Sequence, residues 1–179
     1  MQKYNIVLTP VSESKSIIKC AQNFSAIADQ YLLGEKSLPH ITLYQFIADE
    51  NDIDNFFKKV YQSLWQHTID LKFEKFSCIT FDNHIFWVSL LPDHCGILMK
   101  MHSLISNVIN KPIKNNYDSH MTLISTKNKS YESLVNEFSK TYTPIQDTFV
   151  LSLGKSDDIG QLTELLYTRL LPNKNICNM

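Results

Sequence analysis

Two short segments of the sequence carry side chains that could act together on one anion. The pattern His-x-Thr-Leu occurs at His40 and again at His120. Each copy falls in a segment with strand character, where alternate side chains share a face. His40 and Thr42 are therefore expected on one face of the first strand, and His120 and Thr122 on one face of the second. If the two halves of the chain fold alike and pair across a pseudo-twofold axis, these faces line one cleft. That cleft would hold two imidazoles and two hydroxyls around a common point.

The chemistry that needs this set of groups is displacement at phosphorus, as in the opening of a cyclic phosphodiester. A neutral imidazole takes the proton from the incoming water or hydroxyl, and an imidazolium supplies one to the departing oxygen. The threonine hydroxyls would hold the non-bridging oxygens. Histidine suits both roles because its ordinary pKa of about 6.5 lets it work in either state. Which histidine is the base and which the acid stays open.

The elements that would position these residues occur in a repeated order. Apolar periodicity and turn residues predict the following elements. They are a strand at 3–9, a helix capped by Ser12 and running to Tyr31 with Gly34 beyond its end, a strand at 40–47, a helix at 52–65, strands at 69–81 and 85–91, a helix at 93–110, a strand at 119–125, a helix near 130–142 and a hairpin at 147–170. The order helix, strand, helix, strand, strand therefore occurs twice, over about 12–91 and 93–170. This recurrence predicts one duplicated domain over 1–179, with both His-x-Thr copies at the same position of the repeat.

At this point the sequence resembles the two-histidine (2H) phosphoesterase superfamily, which includes the RNA 2',3'-cyclic phosphodiesterases and 2'-5' RNA ligase-like proteins. The resemblance rests on the two His-x-Thr-Leu copies, their spacing and the element order over nearly the whole chain. It implies a bilobal α+β fold in which two antiparallel sheets flank a central cleft and the helices lie outside. It also implies metal-independent cleavage of cyclic or 2'-linked phosphodiesters, with His40 and His120 as the catalytic pair and Thr42 and Thr122 as phosphate holders.

Further residues near the two motifs are candidates for binding substrate. Tyr44 continues the His40 face and could stack on a base or ribose, or simply close the end of the sheet. Tyr117 lies in the polar approach to the second motif, where a substrate loop would be useful. Lys127, just past the second motif, could reach a phosphate or remain solvated. Arg169 in the last predicted strand could face the cleft or the surface.

No cofactor or metal is expected. His94 or Cys95 can share a helical face with His102, but no third ligand is evident. The widely spaced cysteines are expected to be free thiols, because they form no Cys-x-x-Cys pair. They are Cys20, Cys78, Cys95 and Cys177.

Composition and charge limit the partners. With 44% hydrophobic residues, 4 Gly and 6 Pro, the chain can bury a core, and it lacks the composition of a disordered protein. The formal net charge of −1 argues against electrostatic capture of long nucleic acid or of an anionic membrane. The apolar runs predict neither a signal peptide nor a membrane span. We therefore expect a cytoplasmic monomer without an obligate protein partner, acting on a nucleotide or a short RNA end.

Three hypotheses about function follow. The first is a phosphodiesterase that opens 2',3'-cyclic phosphates or cuts 2'-5' linkages. The second is a module that holds a nucleotide or RNA end in the same cleft without cleaving it, because the sequence shows no obvious acid to orient either imidazole. The third is a plain structural α/β domain, which would have His40 and His120 far apart.

Overall fold

The described part of the chain folds into one antiparallel sheet with four α-helices. A computed structural model describes residues 2–80, 84–109 and 117–168. In chain order the elements are β1 (Gln2–Pro10), α1 (Ser14–Gln22), β2 (Tyr31–Leu32), β3 (Ile41–Ala48), a 3₁₀ turn (Glu50–Asp52), α2 (Ile53–Ser63), β4 (Thr68–Thr80), β5 (Phe86–Pro92), α3 (Cys95–Val108), β6 (Met121–Thr126), α4 (Tyr131–Ser139), β7 (Ile145–Ser156) and β8 (Leu162–Thr168). The predicted element ends at 81, 110 and 170 lie outside the described residues.

The strand order is β2-β6-β5-β4-β7-β1-β3, with β8 beside β7. All strand pairs are antiparallel, so the α+β class with antiparallel pairing is confirmed. The sheet is continuous where two sheets were expected, because β7 pairs with β4 along one edge and with β1 along the other. Phe73 of β4 and Phe149 of β7, both fully buried with ring centroids 5.5 Å apart, pack at this junction. Burying a phenylalanine side chain contributes about 2–3 kcal/mol.

The two strands that follow the histidines hold equivalent places in the sheet. Counted outward from the β4–β7 junction, β3 is the third strand on one side and β6 the third on the other. Each half mixes strands from both predicted repeats, since β5 of the first repeat pairs with β6 of the second, while β7 of the second repeat and β3 of the first both pair with β1. The division into lobe-forming repeats at 12–91 and 93–170 stays a prediction.

The predicted first helix is wrong in its extent, because α1 ends at Gln22 and Tyr31 belongs to β2. The Asn23 side chain donates to Lys19 O at 2.9 Å and to Cys20 O at 3.2 Å, so it occupies carbonyls that the helix would need to continue. The predicted Ser12 cap is also corrected. The backbone amides of residues 12 and 13 donate instead to Oδ2 of Asp147 on β7, at 2.7 and 2.8 Å.

The other predicted helices are found, and each buries part of its apolar face. α3 packs on β3 and on α2, while α1 packs on β6 and α4 on β4. The buried positions of α3 are Leu98, Met101, His102, Ile105 and Ser106. The helices thus cover the sheet, and α3 lies directly beside the strand that follows His40. Among the described residues, no helix is both long and apolar enough to cross a membrane.

Candidate active site

His40 and His120 are held in the same way at the start of equivalent strands. Each lies one residue before its strand, β3 or β6. His40 Nδ1 lies 2.7 Å from Leu38 O, and His120 Nδ1 lies 3.1 Å from Asp118 O, so both rings bond the carbonyl two residues earlier. A carbonyl oxygen only accepts, so Nδ1 carries the proton in both contacts. Each Nε2 is thereby left with the lone pair that can take a proton from a substrate.

Both strands carry a bulge at the same place. In β3 the register against β1 skips one residue after Thr42, which makes Leu43 the extra residue. In β6 the register against β5 skips one residue after Thr122, which makes Leu123 the extra residue. Bulges re-aim the side chains next to them and occur frequently beside active sites. The two His-x-Thr-Leu copies therefore share a local backbone irregularity as well as a residue pattern.

The environments of the two rings differ. His40 is 7% exposed, and burial lowers its pKa to about 4. The hydrogen bond to Leu38 O and the charge of Asp157 raise that pKa, while the charge of His120 lowers it further. The rings therefore lie within each other's electrostatic field, and His40 is neutral near pH 7. The His120 side chain is 34% exposed, and Asp118 Oδ2 lies 3.6 Å from its Nδ1, so a protonated His120 has a carboxylate counter-ion.

The two threonines of the motifs sit in matching positions. Thr42 and Thr122 are each half-buried, and each is the second residue of its strand, two positions after the histidine. Because the bulge follows the threonine in both strands, the alternation that places it with the histidine is kept within the motif. Phosphate binding by these hydroxyls stays a prediction.

Tyr44 and Tyr117 lie against a third histidine, His102 of α3. The Tyr117 ring stacks on His102 with centroids 4.3 Å apart and planes 11° apart, and the Tyr44 centroid lies 5.8 Å from that of His102. Tyr44 is only 9% exposed, which argues against the predicted stacking role because a base needs an open ring face. The Tyr117 hydroxyl donates to Thr42 O at 3.1 Å, so Tyr117 contacts β3 beside the motif.

Lys127 is placed away from the histidines. It follows the last residue of β6, whereas His120 precedes the first. At about 3.3 Å per residue, the two positions lie roughly 20 Å apart along the strand, farther than a lysine side chain reaches. The predicted contact of Lys127 with a phosphate held between the two rings is therefore corrected. Its backbone amide donates to Asp29 Oδ1 at 2.9 Å. Arg169 lies outside the described residues.

Sequence reasoning missed three groups that touch or influence the motifs. Asp118 and Asp157 act on the histidines from the approach to β6 and from the β7–β8 turn. His102 donates from Nδ1 to Leu43 O at 2.7 Å. Its polar ring on the buried face of α3, one position after Met101, was a signal that could have identified it. In the part of the chain that the structure describes, no three His, Cys, Asp or Glu side chains gather as metal ligands, and Cys20, Cys78 and Cys95 are free thiols.

The comparisons define the class of fold to which this site belongs. No protein-family model matches the sequence, and the search of curated proteins returned no match. Solved structures do match over most of the chain, among them those of LigT, of Usb1 and of a protein described as a phosphoesterase, and they share its fold.

Escherichia coli LigT complexed with 3'-AMP superposes with a TM-score of 0.60 at 13% identity, over 94% of this chain and 97% of LigT. Usb1 from Kluyveromyces marxianus gives 0.51 at 12% identity, over 92% and 95%. A structure described as a phosphoesterase gives 0.53 at 12%, over 94% and 98%. At such identities the likeness shows the fold alone, and it agrees with the α+β class and antiparallel pairing that the resemblance implied, while the duplicated lobes stay a prediction.

Proposed function

We propose that this protein is a metal-independent phosphodiesterase that acts on 2',3'-cyclic phosphates or 2'-5' linkages of nucleotides or short RNA ends. His40 and His120 are the general base and acid of this proposal, and Thr42 and Thr122 hold the non-bridging phosphoryl oxygens. The proposal depends on one observation, which is that the two imidazoles are held by equivalent contacts at equivalent positions. Both donate from Nδ1 to the carbonyl two residues earlier, both precede a strand with the same bulge, and each lies in the other's field.

The difference in environment supports a proposal for which histidine is the base and which is the acid. His40 is buried and its pKa is lowered to about 4, so it stays neutral near pH 7 and can accept a proton at Nε2. His120 is more exposed and has the Asp118 carboxylate beside it, which suits the ring that carries a positive charge and gives its proton to the leaving oxygen. Such positioned proton transfers each contribute about 10²- to 10⁴-fold to the rate.

A small nucleotide fits the charge of this protein better than long RNA. The net charge is −1, so the extended basic surface that tracks a long phosphate backbone is not expected. The structurally similar LigT was solved with 3'-AMP and with phosphate, and Usb1 with uridine monophosphate. These ligands support a proposal in which one phosphate lies between the rings and one nucleoside lies in the cleft.

The test is a panel of the 2',3'-cyclic nucleotides and 2'-5'-linked dinucleotides with wild type, His40→Ala, His120→Ala and the control His94→Ala, which replaces an exposed histidine outside the site. We expect bell-shaped pH dependence, no effect of EDTA, and a loss of about 10²-fold or more in each site variant. A wild-type rate in either site variant, or activity abolished by EDTA, would contradict the mechanism.

The alternative is a binding module that uses the same cleft without catalysis. This alternative is suggested by the lack, in the sequence, of an obvious acid to orient the imidazoles. In the structure, the carbonyls of Leu38 and Asp118 and the Asp118 carboxylate are groups that can orient them. Calorimetric titration with 3'-AMP separates the two functions. Tight binding without product from any member of the panel would favour the module.

A further inference from the structure

The bulged carbonyls of the two strands need hydrogen-bond donors, and they obtain them from different sources. In β6 the bulged residue is Leu123, and its carbonyl accepts the backbone amide of Leu33, which follows β2, at 2.9 Å. The backbone that continues from β2 therefore supplies the hydrogen-bond donor for this bulge. Among the described strands, β3 is at the edge of the sheet and pairs with β1 alone, so no backbone is available on its other side. An edge strand with open carbonyls is free to shift or fray.

Side chains take the place of the missing strand at β3. His102 donates from Nδ1 to Leu43 O at 2.7 Å, and the Tyr117 hydroxyl donates to Thr42 O at 3.1 Å. The two donors are stacked on each other, with ring centroids 4.3 Å apart. Two successive carbonyls at the bulge are thus satisfied by one stacked pair, and the first of them belongs to the motif residue Thr42.

Packing alone does not explain why a histidine occupies position 102, because burying a polar ring nitrogen costs free energy. The residue is 6% exposed, and its Nε2 is buried without a hydrogen-bond partner among the residues that the structure describes. A leucine of similar size would fill the same space without burying a polar nitrogen. The use of histidine on this buried face is accounted for by the donor that it provides to Leu43 O.

We propose that His102 and Tyr117 are positioning residues for His40 and Thr42. By holding the β3 bulge they fix the direction in which the first motif faces the cleft, as the strand neighbour does for the second motif. This inference rests on the proposed function for its catalytic consequence, because neither residue is assigned a contact with the reacting atoms. A displacement of about 1 Å in a catalytic group can cost about 10²-fold in rate.

The following variants distinguish the effect of losing the hydrogen-bond donor at position 102 from the effect of changing side-chain packing. His102→Leu removes the donor and keeps the volume. His102→Asn restores a donor, since its amide nitrogen is as many bonds from Cα as Nδ1 is. Tyr117→Phe removes the hydroxyl and keeps the stacked ring. Ile105→Val is the matched control, because Ile105 is fully buried on the same helix and the change leaves only a small cavity.

For cleavage of a 2',3'-cyclic nucleotide, we expect kcat to fall about 10- to 100-fold in His102→Leu, with KM changed less than about threefold. Tyr117→Phe should lose less, His102→Asn should recover most of the rate, and Ile105→Val should retain it. If His102→Leu keeps the wild-type kcat, or if Ile105→Val loses as much, the positioning role is overturned.

Amide hydrogen exchange gives a readout that does not depend on activity. His102→Leu should raise exchange at the β3 bulge, around Leu43, and leave the β6 bulge around Leu123 unchanged. Unchanged exchange at β3 would overturn the inference even if kcat fell. If the wild-type protein cleaves nothing in the panel while exchange rises at β3 alone, the proposed function fails and the holding of β3 by His102 stands.

Discussion

The burial of a neutral His40 makes the stability of the protein sensitive to acid. The folded state lowers the pKa of His40 from 6.5 to about 4, so the unfolded chain binds this proton more readily. The contribution of His40 to stability is therefore fully present above about pH 6.5 and is lost as the pH falls towards 4. Between pH 7 and pH 5 this linkage lowers the free energy of unfolding by about 2 kcal/mol.

Urea unfolding followed by circular dichroism at several pH values from 7 to 5 measures this effect. His40→Asn removes the titration and keeps a donor for Leu38 O, so its free energy of unfolding should fall about 2 kcal/mol less than that of wild type. Carboxylates distant from His40 titrate in both proteins and cancel in the comparison. Parallel curves for wild type and His40→Asn would refute the buried, neutral state of His40.

Three further predictions concern other parts of the chain. Gly160→Ala should lower the free energy of unfolding by about 1–3 kcal/mol in urea, because Gly160 has φ +97° and an added Cβ would lie 2.4 Å from Gln45. The control is Gly96→Ala in α3, where an added Cβ meets nothing within 4 Å, so this change should be neutral or stabilising by up to about 1 kcal/mol. Asp147→Ala should cost about 1–2 kcal/mol by removing the acceptor for the amides that precede α1, and an unchanged urea midpoint would contradict this. Lys127→Ala should leave kcat/KM for cyclic nucleotides at the wild-type value, and a tenfold loss would show that the lysine reaches the substrate.

The sequence allowed the catalytic candidates to be found because strand alternation is a local property. His40 and Thr42 are expected on one face because they are two positions apart in an extended segment, and a repeat of the pattern at His120 needs no tertiary information. The bulges after Thr42 and Thr122 could not be predicted, because a bulge is defined by the register against a partner strand. The Nδ1 contacts likewise depend on how the chain turns into each strand.

The errors have equally physical reasons. Helical periodicity continued past Gln22, but the Asn23 side chain competes for the last carbonyls of α1, and periodicity does not register such competition. Tyr44 was predicted on the His40 side of the strand, but this was wrong because the bulge at Leu43 pairs Thr42 with Val7 and Tyr44 with Ile6, two neighbours whose side chains point to opposite faces. Tyr44 lies instead beside His102 of α3. Lys127 is close to the second motif in sequence but lies beyond the far end of β6, since an extended strand separates residues quickly.

The shared strand β7 has a consequence for how the chain matures. β7 pairs with β1 through contacts such as Pro10 with Phe149, and with β4 through contacts such as Ile69 with Phe149. During synthesis, β1 and β4 therefore leave the ribosome long before the strand that joins them, with open edges beside apolar faces. Closing a loop of roughly 140 residues is slow, and such edges invite aggregation in the meantime. We expect nascent chains stalled before residue 145 to be captured by chaperones, and release of β7 to be the step that lets the sheet close.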